Sequence, residues 1–240
     1  MPNNGIPAPR VPVLEQPNAL MSRSWYRFMY DLFARFIENT GILKPTFGGT
    51  GLGTYTTGDM LYAPATDTLG KIPKPDVDSV LTMTSAGVPA WQHMSYGAFS
   101  SHKTQNADVA NTAYRVIFDT TDVSKDVTIQ EETRITCIHA GVYNVQFSAQ
   151  LDKTGGAGPG LVWFWLRLNE VDVPWSSGQT RLQNTSSELI AAWNYVLEIP
   201  ENGYVELLWA TDDTTCVVRA QNASDVVPAI PSVILTVTQA

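Results

Sequence analysis

The sequence predicts a mainly β protein whose C-terminal part is a sandwich. Three observations carry that prediction. Apolar and polar residues alternate with period two in several runs of residues 108–240, the pattern of half-buried strands. Charged residues make up only 16% of the chain, well below the usual quarter, while hydrophobic residues reach 44%. A helical period occurs in one place only, before residue 41.

Residues 1–41 read as an extended arm followed by an anchor helix. Four prolines in the first twelve residues favour a polyproline-like conformation. The run SRSWYRFMYDLFARFIENTG then has Trp25, Met29, Leu32 and Phe36 spaced four, three and four, with Phe28, Phe33 and Ile37 widening the stripe. Ser22 or Ser24 can cap its start, and Asn39 to Gly41 can end it. Between a proline-rich arm and a glycine-rich stretch the helix has no evident core of its own. Trp25, Phe28, Met29, Leu32 and Phe36 are therefore expected to anchor the chain on another chain.

Residues 42–107 are low in charge and dense in Gly, Thr, Ser and Pro. Such a segment buries too little apolar surface alone to offset its ordering entropy, so it is either a linker or wrapped around copies of itself. Its opening stretch, FGGTGLGTYTTGDMLYA from Phe47, holds five glycines, four threonines and a single acid, Asp59. A phosphate loop would need Lys and Ser/Thr after the last glycine, but Thr54 and Tyr55 follow Gly53. Gly49, Gly51 and Gly53 also lack the dinucleotide spacing, and no helical pattern follows.

Residues 108–240 supply the strands. In GVYNVQFSAQL, Tyr143, Val145, Phe147, Ala149 and Leu151 share one face, and Asn144, Gln146, Ser148 and Gln150 the other. In GYVELLWA, Val205, Leu207 and Trp209 alternate with Tyr204, Glu206 and Leu208. Further candidates are TAYRVIF, TRITCIH, LVWFWLRL, LIAAWNYVLEI, TCVVRA and PSVILTVTQ. Two runs are apolar on both faces. Trp163, Trp165 and Arg167 lie opposite Val162, Phe164, Leu166 and Leu168; Ile190, Ala192 and Val196 lie opposite Leu189, Trp193 and Tyr195. One sandwich interior covers one face only. Trp163, Trp165 and Arg167 are thus expected at a subunit interface, with a carbohydrate-binding platform or a covering loop as the rival readings.

Tests for chemistry find little. His93, His102 and His139 show no ligand spacing, and no serine-nucleophile elbow is present. Asp76 and Asp78 lack the rest of a calcium loop, and Asp212, Asp213, Glu131 and Glu132 read as turn residues. Carboxylate pairs for glycoside hydrolysis can come from distant strands, and nothing positively supports one. Cys137 and Cys216 read as two buried thiols, with a single bridge as the lesser alternative. A net charge of −8 without any Lys/Arg cluster argues against nucleic acid. The polar, Pro-rich start is unlike a signal peptide, and no apolar run reaches the roughly 18 residues of a membrane span. The expectation is a soluble, non-enzymatic protein without cofactor or metal.

Residues 48–92 carry a family resemblance. GGTG-L-x-x-Y-T-x-GD-x-L-Y-A, then ATDTLGKI and SVLTMTSAGVPAWQ, resembles a repeat of bacteriophage tail-fibre and virion-appendage proteins. The resemblance implies an intertwined trimeric neck in which Gly48, Gly49, Gly51, Leu52, Tyr55, Gly58 and Asp59 let three backbones approach one axis. GVYNVQFSAQL, LVWFWLRLNE, VELLWA and PSVILTVTQ resemble the tumour-necrosis-factor and complement-type jelly roll, with Asn202-Gly203 where that family often has Gly-Asp. That implies a trimeric jelly-roll knob over 108–240. Together they imply a homotrimer made in a host cytoplasm and carried on a virion surface. It would be attached to the capsid as a decoration or head fibre through the N-terminal region, or would serve as a short tail fibre whose knob binds a host glycan or protein.

Overall fold

Two units divide the chain, Met1–Gln92 and His93–Ala240. A computed structural model describes residues 14–15, 20–36, 42–43, 45, 49–76 and 79–240. In the first unit, Leu14–Glu15 (β1) pairs with Leu20–Met21 (β2), and helix α1 follows over Arg23–Phe36. Ser22 stands at the cap position, where its carbonyl accepts from Tyr26 N at 2.9 Å. Tyr26, Met29, Tyr30, Leu32 and Phe33 are exposed, while Trp25 packs edge-on against Phe28 at 5.8 Å.

The middle stretch is two hairpins. Met60–Ala65 (β3) pairs with Thr68–Ile72 (β4), and Ser79–Met83 (β5) forms a two-stranded sheet with Pro89–His93 (β6). The Trp91 indole donates to the Pro73 carbonyl at 2.8 Å, tying the second hairpin to the end of the first. Asp59 closes the turn that launches β3. Its carboxylate accepts from Thr56 N at 2.7 Å and from Lys71 at 3.0 Å, and Gly58 takes φ +93. The backbone bond from Thr56, then Lys71, holds this carboxyl below its ordinary range.

The second unit is the jelly-roll sandwich. Its strands are Tyr96–Ser101 (β7), Tyr114–Arg115 (β8), Thr120–Lys125 (β9), Val127–Gln130 (β10), Arg134–Cys137 (β11), Gly141–Lys153 (β12) and Gly160–Leu168 (β13). Val171–Asp172 (β14), Gly178–Leu182 (β15), Glu188–Ile199 (β16), Tyr204–Thr211 (β17), Cys216–Val218 (β18) and Val233–Gln239 (β19) complete it. The first sheet runs β16-β12-β19-β7-β9, with β18 also on β12. The second runs β10-β11-β17-β13-β14, with β15 on β13 and β8 on β17. Long strands alternate between the sheets, β12 to β13 and β16 to β17, as two facing apolar surfaces require.

The predicted inward residues build the core. Tyr143, Val145, Phe147, Ala149 and Leu151 face Val162, Phe164, Leu166, Val205, Leu207 and Trp209, all essentially buried. Phe147 centres an aromatic cluster, 5.2 Å from Phe164 and 5.5 Å from Trp193. Gly178 is held small by Trp193, whose ring occupies the place of any Cβ there.

Two expectations are corrected. Residues 96–107, expected in the neck, belong to the sandwich, because β7 pairs with both β19 and β9. The stretch TAYRVIF forms only the two-residue β8. Within the chain, a Cβ on Gly49 would strike Leu43, one on Gly51 would meet Pro45, and Gly51 N donates to Leu43 O at 3.0 Å.

Candidate functional site

The outer face of the second sheet carries a tryptophan groove. Period two on β13 sends Val162, Phe164 and Leu166 inward and leaves Trp163, Trp165 and Arg167 on the outside. Trp163 sits in register with Ala210 on one side and Gln179 on the other, and its indole N–H donates to Gln179 Oε1 at 2.9 Å. Asn169 and Glu170, with φ of +45 and +67, turn the chain back so that Asp172 lies opposite Arg167. One Asp172 oxygen then accepts both from Trp165 Nε1 at 3.1 Å and from Arg167 Nε at 2.9 Å. Arg167, more than the indole, holds the Asp172 carboxyl below its ordinary range.

The next loop adds a third indole that sequence reasoning missed. Ser176 is buried and fixes the loop: its hydroxyl donates to Val173 O at 2.8 Å and accepts from Leu166 N at 3.0 Å. Tyr195 also donates to Ser176 O at 2.7 Å. Between these restraints Trp175 takes φ +63 and is wholly exposed, at 102%. A left-handed backbone is a strained one for so bulky a residue. Trp163, Trp165 and Trp175, with Asn111, Asp172 and Ser177, line an open groove of about 550 Å³. The only signal for Trp175 was its place in the PW-S-S turn after a strand; nothing in periodicity marks an exposed indole.

Beside the groove lies an ionic network. Glu206 is fully buried and is reached by Arg115 Nε at 2.8 Å and Arg134 Nε at 3.7 Å. Arg134 also pairs with Glu170 at 2.6 Å and covers the Tyr204 ring at 4.7 Å, and Tyr204 donates to Glu170 at 2.9 Å. The Tyr204 and Arg134 hydrogen bonds hold Glu170 below its ordinary range.

The outer face of the first sheet is of another kind. Val142, Ile190, Val196 and Ile234 are exposed there, with Ala192 between them. The other outward positions at the centre of β12, β16 and β19 are Asn144, Gln146, Ser148, Asn194, Thr236 and Thr238, none of them charged, while Gln150 and exposed Glu198 lie towards the ends, in register with Ile190 and Val142. Asn144 Oδ1 is buried there without a partner among the described residues.

Other clusters are structural. His93 and His139 stack at 4.2 Å with rings 9° apart, and Asp126 lies 3.7 Å from His139. A metal lies in the plane of each imidazole that binds it, and two parallel stacked planes share no such point, so this trio as it stands is a stacked ring pair with a carboxylate beside it. Ser100, buried, donates to Asp122 at 3.2 Å rather than being aimed at an acceptor imidazole; His102 lies 3.4 Å from it. Fully buried Lys153 pairs with Asp213 and donates to Thr215 at 2.8 Å. Cys137 and Cys216 are free and buried, and burial pushes the Cys137 thiol up to about 12.

The predicted site residues fall in separate places. Trp25 and Phe28 are half-buried on α1 and Met29 and Leu32 are exposed; the side chain of Phe36, and Gly48, lie outside the described residues. Gly49, Gly51, Leu52, Tyr55, Gly58 and Asp59 precede the first hairpin, where Tyr55 bonds to Thr50 and Leu52 N to Thr50 Oγ1 at 3.3 Å. Trp163, Trp165 and Arg167 come together as predicted, on the sheet face opposite to the uncharged one.

No family model matches the chain, and no curated protein matches it. Among solved structures, murine APRIL at pH 8.5 is similar with 9% identity and a TM-score of 0.41, all of that chain aligning over 62% of this one. Murine APRIL at pH 5.0 gives 6% identity and 0.39 over the same shares. The fold stands on the strand order itself.

Proposed function

We propose that the chain is a homotrimeric structural protein of a bacteriophage virion, attached through its N-terminal region and displaying the sandwich as a knob. The observation that carries the self-association is the outer face of the first sheet: exposed Val142, Ile190, Val196 and Ile234, no charge among the central positions, and a buried unpartnered Asn144 oxygen. Charge depletion with open aliphatic groups is the composition of an interface centre. The number three and the virion placement rest on the resemblance of residues 48–92 and of the knob strands. Exposed Tyr26, Met29, Tyr30, Leu32 and Phe33 on α1 support attachment there. Light scattering on the purified chain is expected to give three times the mass of 26.3 kDa, and a monomer at micromolar concentration overturns the reading.

Placement on the capsid is the first reading. The wholly exposed Trp175 favours a second, a short tail fibre whose knob engages a host receptor. Copies per particle separate them: hundreds fit a capsid protein, a few dozen or fewer a tail fibre.

A further inference from the structure

We propose that the groove framed by Trp163, Trp165 and Trp175 binds a neutral saccharide. The argument needs only the second unit and does not depend on trimer formation or on a virion. Pyranose rings offer an apolar C–H face and a rim of hydroxyls, so their sites combine aromatic surfaces with a few fixed polar groups. Both are present here. Trp163 and Trp165, two residues apart on β13, stand about 7 Å apart along the strand, giving two adjacent stacking surfaces. Their N–H edges are tied to Gln179 and Asp172, which fixes the indoles. Trp175 lies on a loop pinned by Ser176 and Tyr195, so its full exposure is built in.

The polar groups suit hydroxyls. Asp172 uses one oxygen for Trp165 and Arg167, which leaves its second oxygen for a ligand. The side chains of Asn111 and Ser177 line the same groove and have no hydrogen-bond partner among the described residues. Charge selects the ligand class. No cation lines the groove, and Arg167 beside it is already paired with Asp172 at 2.9 Å, so no net positive charge is left for a phosphate, sulfate or sialic acid. The chain's net charge of −8 opposes polyanions as well.

The test is titration of the full chain, followed by indole fluorescence, with the pentasaccharides of β-1,4-glucose, α-1,4-glucose, β-1,4-mannose and β-1,4-N-acetylglucosamine, and with sialyllactose and inorganic phosphate as anionic probes. At least one neutral oligomer is expected to change the emission saturably. Trp175→Ala is expected to weaken that binding at least about tenfold, and Asp172→Asn to weaken it several-fold. Trp175 touches no core residue, so Trp175→Ala is expected to keep the thermal midpoint and the mass of the native chain. The proposal is overturned if no neutral probe binds at up to about 10 mM, far weaker than sites of this kind. Binding of the anionic probes alone overturns it too, as does undiminished binding by Trp175→Ala. A drop in mass for Trp175→Ala would make the groove a subunit contact and also overturn it. A monomer that still binds a neutral oligomer would refute the trimer and leave the saccharide site standing.

Discussion

The two outer faces of the sandwich have opposite chemistry, although each lies over the same core. On the second sheet the large outward groups of β13 and β17 are tied inside the chain: Trp163 with Gln179, Trp165 and Arg167 with Asp172, and Glu206 with Arg115 and Arg134, while Arg134 Nε, Thr136 Oγ1 and Glu206 Oε2 are buried without a hydrogen bond among the described residues. On the first sheet the central outward positions are aliphatic or uncharged polar, with Glu188 and Glu198 only at the ends of β16, and the Asn144 oxygen is buried with no partner among the described residues. A face whose large groups are tied to charged and polar neighbours can stand in water or take a ligand. A face that leaves aliphatic area open with no charge at its centre is completed by a second surface. Outward residues therefore separate two roles that the inward residues, equally apolar on both sheets, do not distinguish.

The largest effect expected from this contrast is on assembly. Ala192 is exposed, in register with Ser148 at the middle of the uncharged face. Ala192→Arg would place a charge with no counter-ion inside the proposed interface, where burial of an unpaired charge costs several kcal/mol, about enough to dissociate a trimer. The variant is expected to give an unaltered circular dichroism spectrum and the mass of a single chain. Retention of the native mass would show that this face stays in water.

A smaller effect is expected on the other face. Glu206→Ala removes the buried carboxylate that gathers Arg115 and Arg134, but both guanidinium groups are partly exposed and can rehydrate. The loss of stability is expected at about 1–3 kcal/mol, read from denaturant midpoints, with the mass unchanged. A fall in mass would mean that the second face also holds subunits together.

The core was legible in the sequence and the site only in part. Period two marked Tyr143, Val145, Phe147, Val162, Phe164 and Leu166 because burial on one face is a local signal. It also placed Trp163, Trp165 and Arg167 on one side. It could not give their partners, since Asp172 and Gln179 reach them through a turn and a pairing register. Trp175 was illegible because its exposure comes from a left-handed turn held by Ser176, not from a pattern. The strand β7 was hidden for a related reason: SYGAFSS is short and small-residue-rich, and it is ordered by pairing with β19, more than a hundred residues away. The hairpins of the middle stretch escaped because their side chains are mostly exposed, so no alternation of burial marked them.

The smallest expected effect uses acid to separate the faces. Glu170 has an ordinary value of 4.5 and is held lower by Tyr204 and Arg134; Asp172 has an ordinary value of 3.8 and is held lower by Arg167 and then Trp165. A depressed folded pKa means that the unfolded chain binds the proton first. The stabilisation is therefore complete above the unfolded value and is lost as pH falls through 4.5 for Glu170, then 3.8 for Asp172, towards their folded values. Both groups are well exposed, so solvent screening keeps the effect modest. Asp59, Asp119 and Asp213 are depressed as well and share in the same acid slope. Glu170→Gln is thus expected to flatten, not abolish, the fall in thermal midpoint between about pH 5 and pH 3. The centre of the first face has no titratable side chain, so the assembly mass of folded protein should hold constant across that range. An unchanged slope in Glu170→Gln would remove the ionic network from the forces that stabilise the second face, and dissociation ahead of unfolding would place titrating groups at the interface.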